Sequence, residues 1–172
     1  MRWYALLLLV ATAFQAAAAA AVPFNSICRK ITSPRMETFT VTGNNRVRNS
    51  KASPTDVNLS KTSNSRTEQI MTFQVPKEAS GKHCNLKWSV ASTKESGLRA
   101  EGDAHVAIYQ DGKTEPVAGA EFGDWVGVGD GRVHYSGRVT CRDTLRLRLE
   151  LRDQGKVFLK QNDRNGFFLE YC

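Results

Sequence analysis

Apolar residues fall on alternate positions along much of this chain. The clearest run is residues 144–152, where Leu145, Leu147, Leu149 and Leu151 are separated by Arg146, Arg148, Glu150 and Arg152. Successive side chains of a strand point to opposite faces, so this run predicts a strand with one face in a core and the other in water. Cys84, Leu86, Trp88 and Val90 alternate in the same way with His83, Asn85, Lys87 and Ser89. Met71, Phe73 and Val75 oppose Ile70, Thr72 and Gln74, and Pro76 ends that strand because proline has no N–H to give a central ladder. Residues 36–41, 104–110, 156–160 and 167–171 predict shorter strands, with Val106 and Ile108 inward in the second. Residues 132–139 divide into Val133, Tyr135, Gly137 and Val139 on one face and Arg132, His134, Ser136 and Arg138 on the other. Phe122, Trp125 and Val126 read as buried within a less regular stretch, 118–128.

Turn chemistry separates these runs: Gly43-Asn44-Asn45, Asp111-Gly112, the glycine-rich 127–131, Asp153-Gln154-Gly155 and Asn165-Gly166. No helical period follows the first 21 residues. About eight short strands with turns between them predict an all-β fold, a single-domain β-sandwich or jelly-roll-like barrel. Residues 46–67 and 92–102 carry few apolar side chains and are expected as exposed polar loops. The first holds the sequon Asn58-Leu59-Ser60, which makes Asn58 a candidate glycosylation site in an exported chain.

The N-terminus changes the setting of this fold. Arg2 precedes the apolar run at 5–14, and the alanines at 16–21 offer A-x-A cleavage sites before Val22-Pro23. Residues 1–21 thus have the order and length of a secretory signal peptide, and a membrane span would need about 20 apolar residues with stop-transfer flanks. The expected mature chain is secreted, without a transmembrane segment, with an extended lead-in at 22–35 and the β domain at 36–172. The four cysteines, Cys28, Cys84, Cys141 and Cys172, are an even number in an exported chain and imply two disulfides. Four cysteines allow three pairings. Position favours Cys84–Cys141 at the ends of alternating strands and Cys28–Cys172 tying the chain's extremes together. Neither Cys-x-x-Cys nor paired histidine spacing supports a zinc site on these cysteines.

The formal net charge is +7, and removing the leader takes away Arg2 and no acid, leaving +6. Basic charge suits nucleic acid, anionic polysaccharide or an anionic membrane surface. Export disfavours nucleic acid, and the lysines and arginines are interspersed with acids, as on an ordinary solvated surface.

Two motifs then suggest kinship. Phe73-x-Val75-Pro76 is followed by a polar turn and by Gly81-Lys82-x-Cys84-x-Leu86-x-Trp88, and the chain ends on Gly166-Phe167-Phe168-Leu169-Glu170-Tyr171 after Cys141. This pattern, over residues 38–172, resembles a family of secreted fungal proteins that share the C-terminal domain of a fission-yeast protein. That protein binds the activating enzyme of a ubiquitin-like modifier. The resemblance implies an all-β domain with an internal cysteine pair and no established enzymatic activity, hence no catalytic residue or cofactor to carry over. Cys28 and Cys172 depart from the family pattern. An intracellular partner fits poorly with a leader and two disulfides and is not carried over.

The residues themselves offer little catalytic chemistry. His83, His105 and His134 fall on expected strands at outward positions, where a surface histidine is the ordinary case. No Gly-x-Ser-x-Gly or His-Glu-x-x-His motif is present, and paired cysteines leave no thiol nucleophile. Asp124 and Asp130 beside glycines could supply a glycosidase's acid and base, although aspartates there are also usual turn formers. Trp125 could stack on a sugar or belong to the core. The stronger candidate is a binding face, Arg146, Arg148 and Arg152 with Lys156 and Lys160 on a neighbouring strand, for acidic glycans or a phospholipid surface. The expectation is a non-enzymatic extracellular or cell-wall binding protein, of an effector-like kind, whose partner is a polysaccharide or a host protein. A wall hydrolase and a purely structural wall protein are the alternatives.

Overall fold

The computed structural model describes residues 27–91, 97–126 and 131–172. The expected signal peptide and most of the turn at 127–131 lie outside them, Asp130 included. The fold is all-β and carries two disulfides, Cys28–Cys172 and Cys84–Cys141, the pairing that position favoured. The described residues form β1 (Arg29–Ile31), β2 (Arg35–Thr42), β3 (Asn45–Arg48), β4 (Val57–Lys61), β5 (Arg66–Gln74), β6 (His83–Ser89) and β7 (Leu98–Gly102). There follow β8 (His105–Gln110), β9 (Ala118–Glu121), a 3-10 turn at Gly123–Trp125, β10 (Val133–Thr140), β11 (Thr144–Leu151), β12 (Gly155–Leu159) and β13 (Gly166–Tyr171). Among the described residues no helix is long and apolar enough to cross a membrane.

All strands belong to one antiparallel network in the order β1-β13-β6-β10-β9-β8-β11-β5-β4-β12-β7, with β2 attached to β5 and β3 to β2. The network is one curled antiparallel sheet. β11 lies in the middle, between β5 and β8. Its four leucines are at most 2% exposed and meet Met71, Phe73, Trp88, Ile108 and Phe167 in one hydrophobic cluster. Burying each leucine contributes about 1.5–3 kcal/mol. The Cys28–Cys172 bridge closes the longest possible kind of loop, 144 residues, and β1 beneath it pairs with β13. The extended lead-in is therefore an edge strand tied at its start. In the chain-entropy account a loop of that size restricts the unfolded chain by about 5 kcal/mol, and the 57-residue Cys84–Cys141 loop by about 4 kcal/mol.

The expected polar loops at 46–67 and 92–102 are not loops throughout. Val57 and Leu59 are fully buried and form β4, and Leu98 is 7% exposed at the start of β7. Two apolar residues at i and i+2 suffice for β4 because β12 supplies its ladder and Gln69 clamps it from within. The Gln69 Oε1 accepts the Asn58 N–H at 2.8 Å, while Nε2 donates to Thr38 Oγ1 at 2.9 Å and to the Asp56 carbonyl at 3.0 Å. This side chain is buried and its polar atoms are satisfied, which is what permits a glutamine in the core.

β12 lies between β4 and β7, not beside β11, whose two edges are already occupied. β10 also departs from simple alternation. A β-bulge between Tyr135 and Gly137 reverses the facing of the strand's first half. Val133 and Tyr135 are therefore 50% and 61% exposed, while His134 turns inward and stacks on Trp88 with ring centroids 4.0 Å apart. Beyond the bulge Gly137 and Val139 are inward, as expected. Only glycine fits at 137, since a Cβ there would lie 2.7 Å from the Val117 carbonyl and from the Ala118 side chain on β9. Val126, expected inside, is 44% exposed, and Trp125 is half-buried against His134.

Candidate functional site

Register across β2, β5, β11 and β8 fixes which outward side chains meet. Arg35, Thr72 and Arg146 form one row, and Glu37, Ile70, Arg148 and Tyr109 form the next. Glu68 and Glu150 follow along their strands. These rows make one outer face with three distinct zones.

The middle zone is a closed ion-pair network. Arg148 Nη1 donates to Glu150 Oε2 at 2.9 Å, lies 3.9 Å from Glu68 Oε1, and its guanidinium sits 4.3 Å from the Tyr109 ring centre. The Glu68 side chain is only 5% exposed and accepts from Arg46 Nε at 3.1 Å, Arg66 Nε at 3.0 Å and Arg66 Nη2 at 2.8 Å. Arg46 in turn covers the Phe39 ring at 3.7 Å. Burial foremost, and then the hydrogen-bonded carboxylate of Glu150, raise the Tyr109 phenol above its ordinary range, while Arg148 and Arg152 oppose the shift. Three guanidiniums here share two carboxylates that the fold itself supplies, and each of the three is engaged by at least one of them.

The first end is different. Arg146 has Asp111 as its acidic neighbour at 3.9 Å, beyond hydrogen-bond reach. Arg35 makes no ion pair among the described residues. Both line a depression of about 470 Å³ together with Thr32, Glu37, Thr72 and Gln74. The carboxylate of Glu37 is engaged by Arg48 at 3.0 Å, which weakens its hold on the other two guanidiniums. Ser33, in the left-handed region at φ 59°, turns the chain from β1 into β2 at the rim of this depression.

The second end lies beyond β11's last residue. Arg152 N–H donates to the His105 carbonyl at 2.9 Å, which sets the two residues side by side. They border a shallower depression of about 340 Å³ whose lining includes the small residues Ala107 and Gly119. Ser136, on the bulge of β10, also lines it, and its buried Oγ has no hydrogen-bond partner.

Of the residues singled out from sequence, Arg146, Arg148 and Arg152 share one face, with Arg146 and Arg152 separated by about 20 Å of strand. Lys156 does not join them. It stands on β12 and pairs with Glu101 of β7 at 3.0 Å, and Lys160 follows the last residue of that strand. Arg35, Arg46 and Arg66 complete the face and were missed because they come from strands distant in sequence. The signal available was parity, since Arg35 alternates with the apolar Met36 as Arg146 alternates with Leu147. His83 is exposed and His105 half-buried at an outward position, whereas His134 is the inward exception. Asn58 is exposed on β4, with Ser60 Oγ 2.7 Å from Thr67 Oγ1. Asp124 is exposed on the 3-10 turn.

Fold and face together define a disulfide-bonded, all-β protein with an arginine track along its central strand. No family model matches the chain, and no curated protein or solved structure matches it either.

Proposed function

We propose that this is a secreted, non-enzymatic binding protein of the cell wall or extracellular space, of the fungal kind that its Cys84 and C-terminal motifs resemble. Its ligand is an acidic polysaccharide, held on the outer face of β11. The observation that carries this reading is the depression at Arg35 and Arg146, where two guanidiniums flank Thr72 and, among the described residues, no carboxylate is inside hydrogen-bond distance of either. A guanidinium is a planar fork that matches a carboxylate in two parallel hydrogen bonds. Arg35 and Arg146 sit two strand spacings apart, about 10 Å, so one cannot satisfy the other's acid, and a chain of uronic acid residues presents carboxylates repeatedly. Thr72 and Gln74 between them offer hydroxyl and amide groups to sugar oxygens, and the Arg152–Ser136 depression lies on the same face about 20 Å along β11. The two disulfides and the leader-like N-terminus support an extracellular setting.

The test is cosedimentation of the disulfide-intact mature protein with insoluble polygalacturonate, neutral β-glucan and chitin. Retention on polygalacturonate at low salt, reversed at 1 M salt where screening acts over about 3 Å, is the expected result. Equal retention on the neutral polymers contradicts an arginine-based site.

A further inference from the structure

We propose that Asp103, His105 and Glu121 form a divalent-cation site of the zinc class. Backbone geometry alone puts the three on one side of the sheet. Asp103 and His105 are two residues apart where the chain enters β8, so they point to the same face. Glu121 is directly opposite His105 in the β8–β9 ladder. Their donor atoms, two carboxylate oxygens and an imidazole nitrogen, all lie within 4.8 Å of one another.

The pair already in contact has the spacing a metal needs. His105 Nδ1 is 3.0 Å from Glu121 Oε2. Two donors each bound about 2.1 Å from zinc stand roughly 3–3.5 Å apart in tetrahedral or octahedral geometry. Asp103 is exposed, so its carboxylate can rotate the remaining distance. The backbone beneath is fixed, because Arg152 N–H holds the His105 carbonyl and Phe122 N–H holds that of Ala104.

Charge is the second and independent argument. Two carboxylates this close repel each other. Elsewhere on this protein close acids are met by arginine, as Glu68 and Glu150 are. Among the described residues no lysine or arginine pairs with Asp103 or Glu121, and Asp103 has no hydrogen-bond partner at all. A dication supplies the missing positive charge. The donor set selects its kind, since an imidazole with two carboxylates suits zinc or cobalt, whereas calcium takes six to eight oxygens. Three protein donors leave at least one position for water or ligand. Binding places the imidazole proton on Nε2 and frees Nδ1 for the metal, the hydrogen bond to Glu121 being replaced by shared coordination.

The site shares His105 with the rim of the Arg152–Ser136 depression but needs no glycan, and it is tested without one. The mature, disulfide-intact protein is stripped with EDTA and titrated with Zn²⁺ by calorimetry, and with Co²⁺ by visible absorption. One saturable site per chain, visible bands on cobalt binding, and a rise in Tm with zinc are expected. His105→Ala and Asp103→Asn weaken zinc by about tenfold or more, as the loss even of a residue that only orients a ligand costs about 10–100-fold. Asp103 is exposed and its side chain has no partner among the described residues, so its variant folds as the parent does, and His83→Ala, at an exposed position on β6, leaves the affinity unchanged. Absence of saturable binding, or binding that survives in both His105→Ala and Asp103→Asn, overturns the proposal.

Discussion

Arg146 and Arg148 stand two residues apart on the same face of β11, in opposite surroundings. Arg148 lies against a phenol ring, donates to Glu150 and faces the buried acid Glu68. Arg146 projects beside a depression, with its acidic neighbour 3.9 Å away and a second guanidinium across Thr72. The difference comes wholly from the neighbouring strands. β5 brings Glu68 beside one arginine and Thr72 beside the other, and β8 brings Tyr109 to the first and the Asp111 turn to the second. An arginine within an internal network stabilises the fold, and one without a matched acid is available to a ligand.

That contrast can be broken or sharpened by substitution. The largest effect belongs to the strand's inner face, on which both arginines depend. Leu147→Ala, at a position fully buried in the core, lowers stability by about 3 kcal/mol in urea unfolding and loosens both zones together. Next comes the acid that distinguishes the zones. Glu68→Gln keeps the shape but removes the charge facing Arg46 and Arg66, and costs about 2 kcal/mol, the usual worth of hydrogen bonds to charged groups. It also releases positive charge in the middle of the track, so retention on acidic polymer is unchanged or strengthened while stability falls. The smallest effect is alkaline. Tyr109 has a folded pKa above its unfolded value near 10, so the unfolded chain loses this proton first. Its contribution is fully present below pH ~10 and disappears as the pH rises through the folded value. Tyr109→Phe therefore flattens the alkaline fall in stability, read from urea midpoints between pH 8 and 11.

The inner face was legible in sequence wherever alternation was strict, as at Leu145 to Leu151 and Cys84 to Val90, and both disulfides followed from position. Legibility failed where tertiary partners supplied what local pattern lacked. β4 carries only Val57 and Leu59 and exists because β12 pairs with it and Gln69 binds the backbone beneath. β10 misled through its bulge, which no alternation count can register and which exchanges His134 for Val133 and Tyr135. The binding face was half visible. Arg146 and its strand mates declared themselves by parity, but their separate roles depend on Glu68, 78 positions before Arg146, and on Arg35, 111 positions before it. Lys156 was misassigned for the same reason, since adjacency in sequence suggested a hairpin that the occupied edges of β11 forbid.

The central claim is that the two arginines differ in availability, and one comparison tests it directly: retention of Arg146→Ala and Arg148→Ala on polygalacturonate at low salt, with the urea midpoint of each recorded alongside. The account predicts that Arg146→Ala loses retention with stability within about 0.5 kcal/mol of the parent, as for an ordinary surface substitution. Arg148→Ala keeps retention and loses about 1 kcal/mol of stability. Equal losses of retention in the two variants, or loss only in Arg148→Ala, would contradict it.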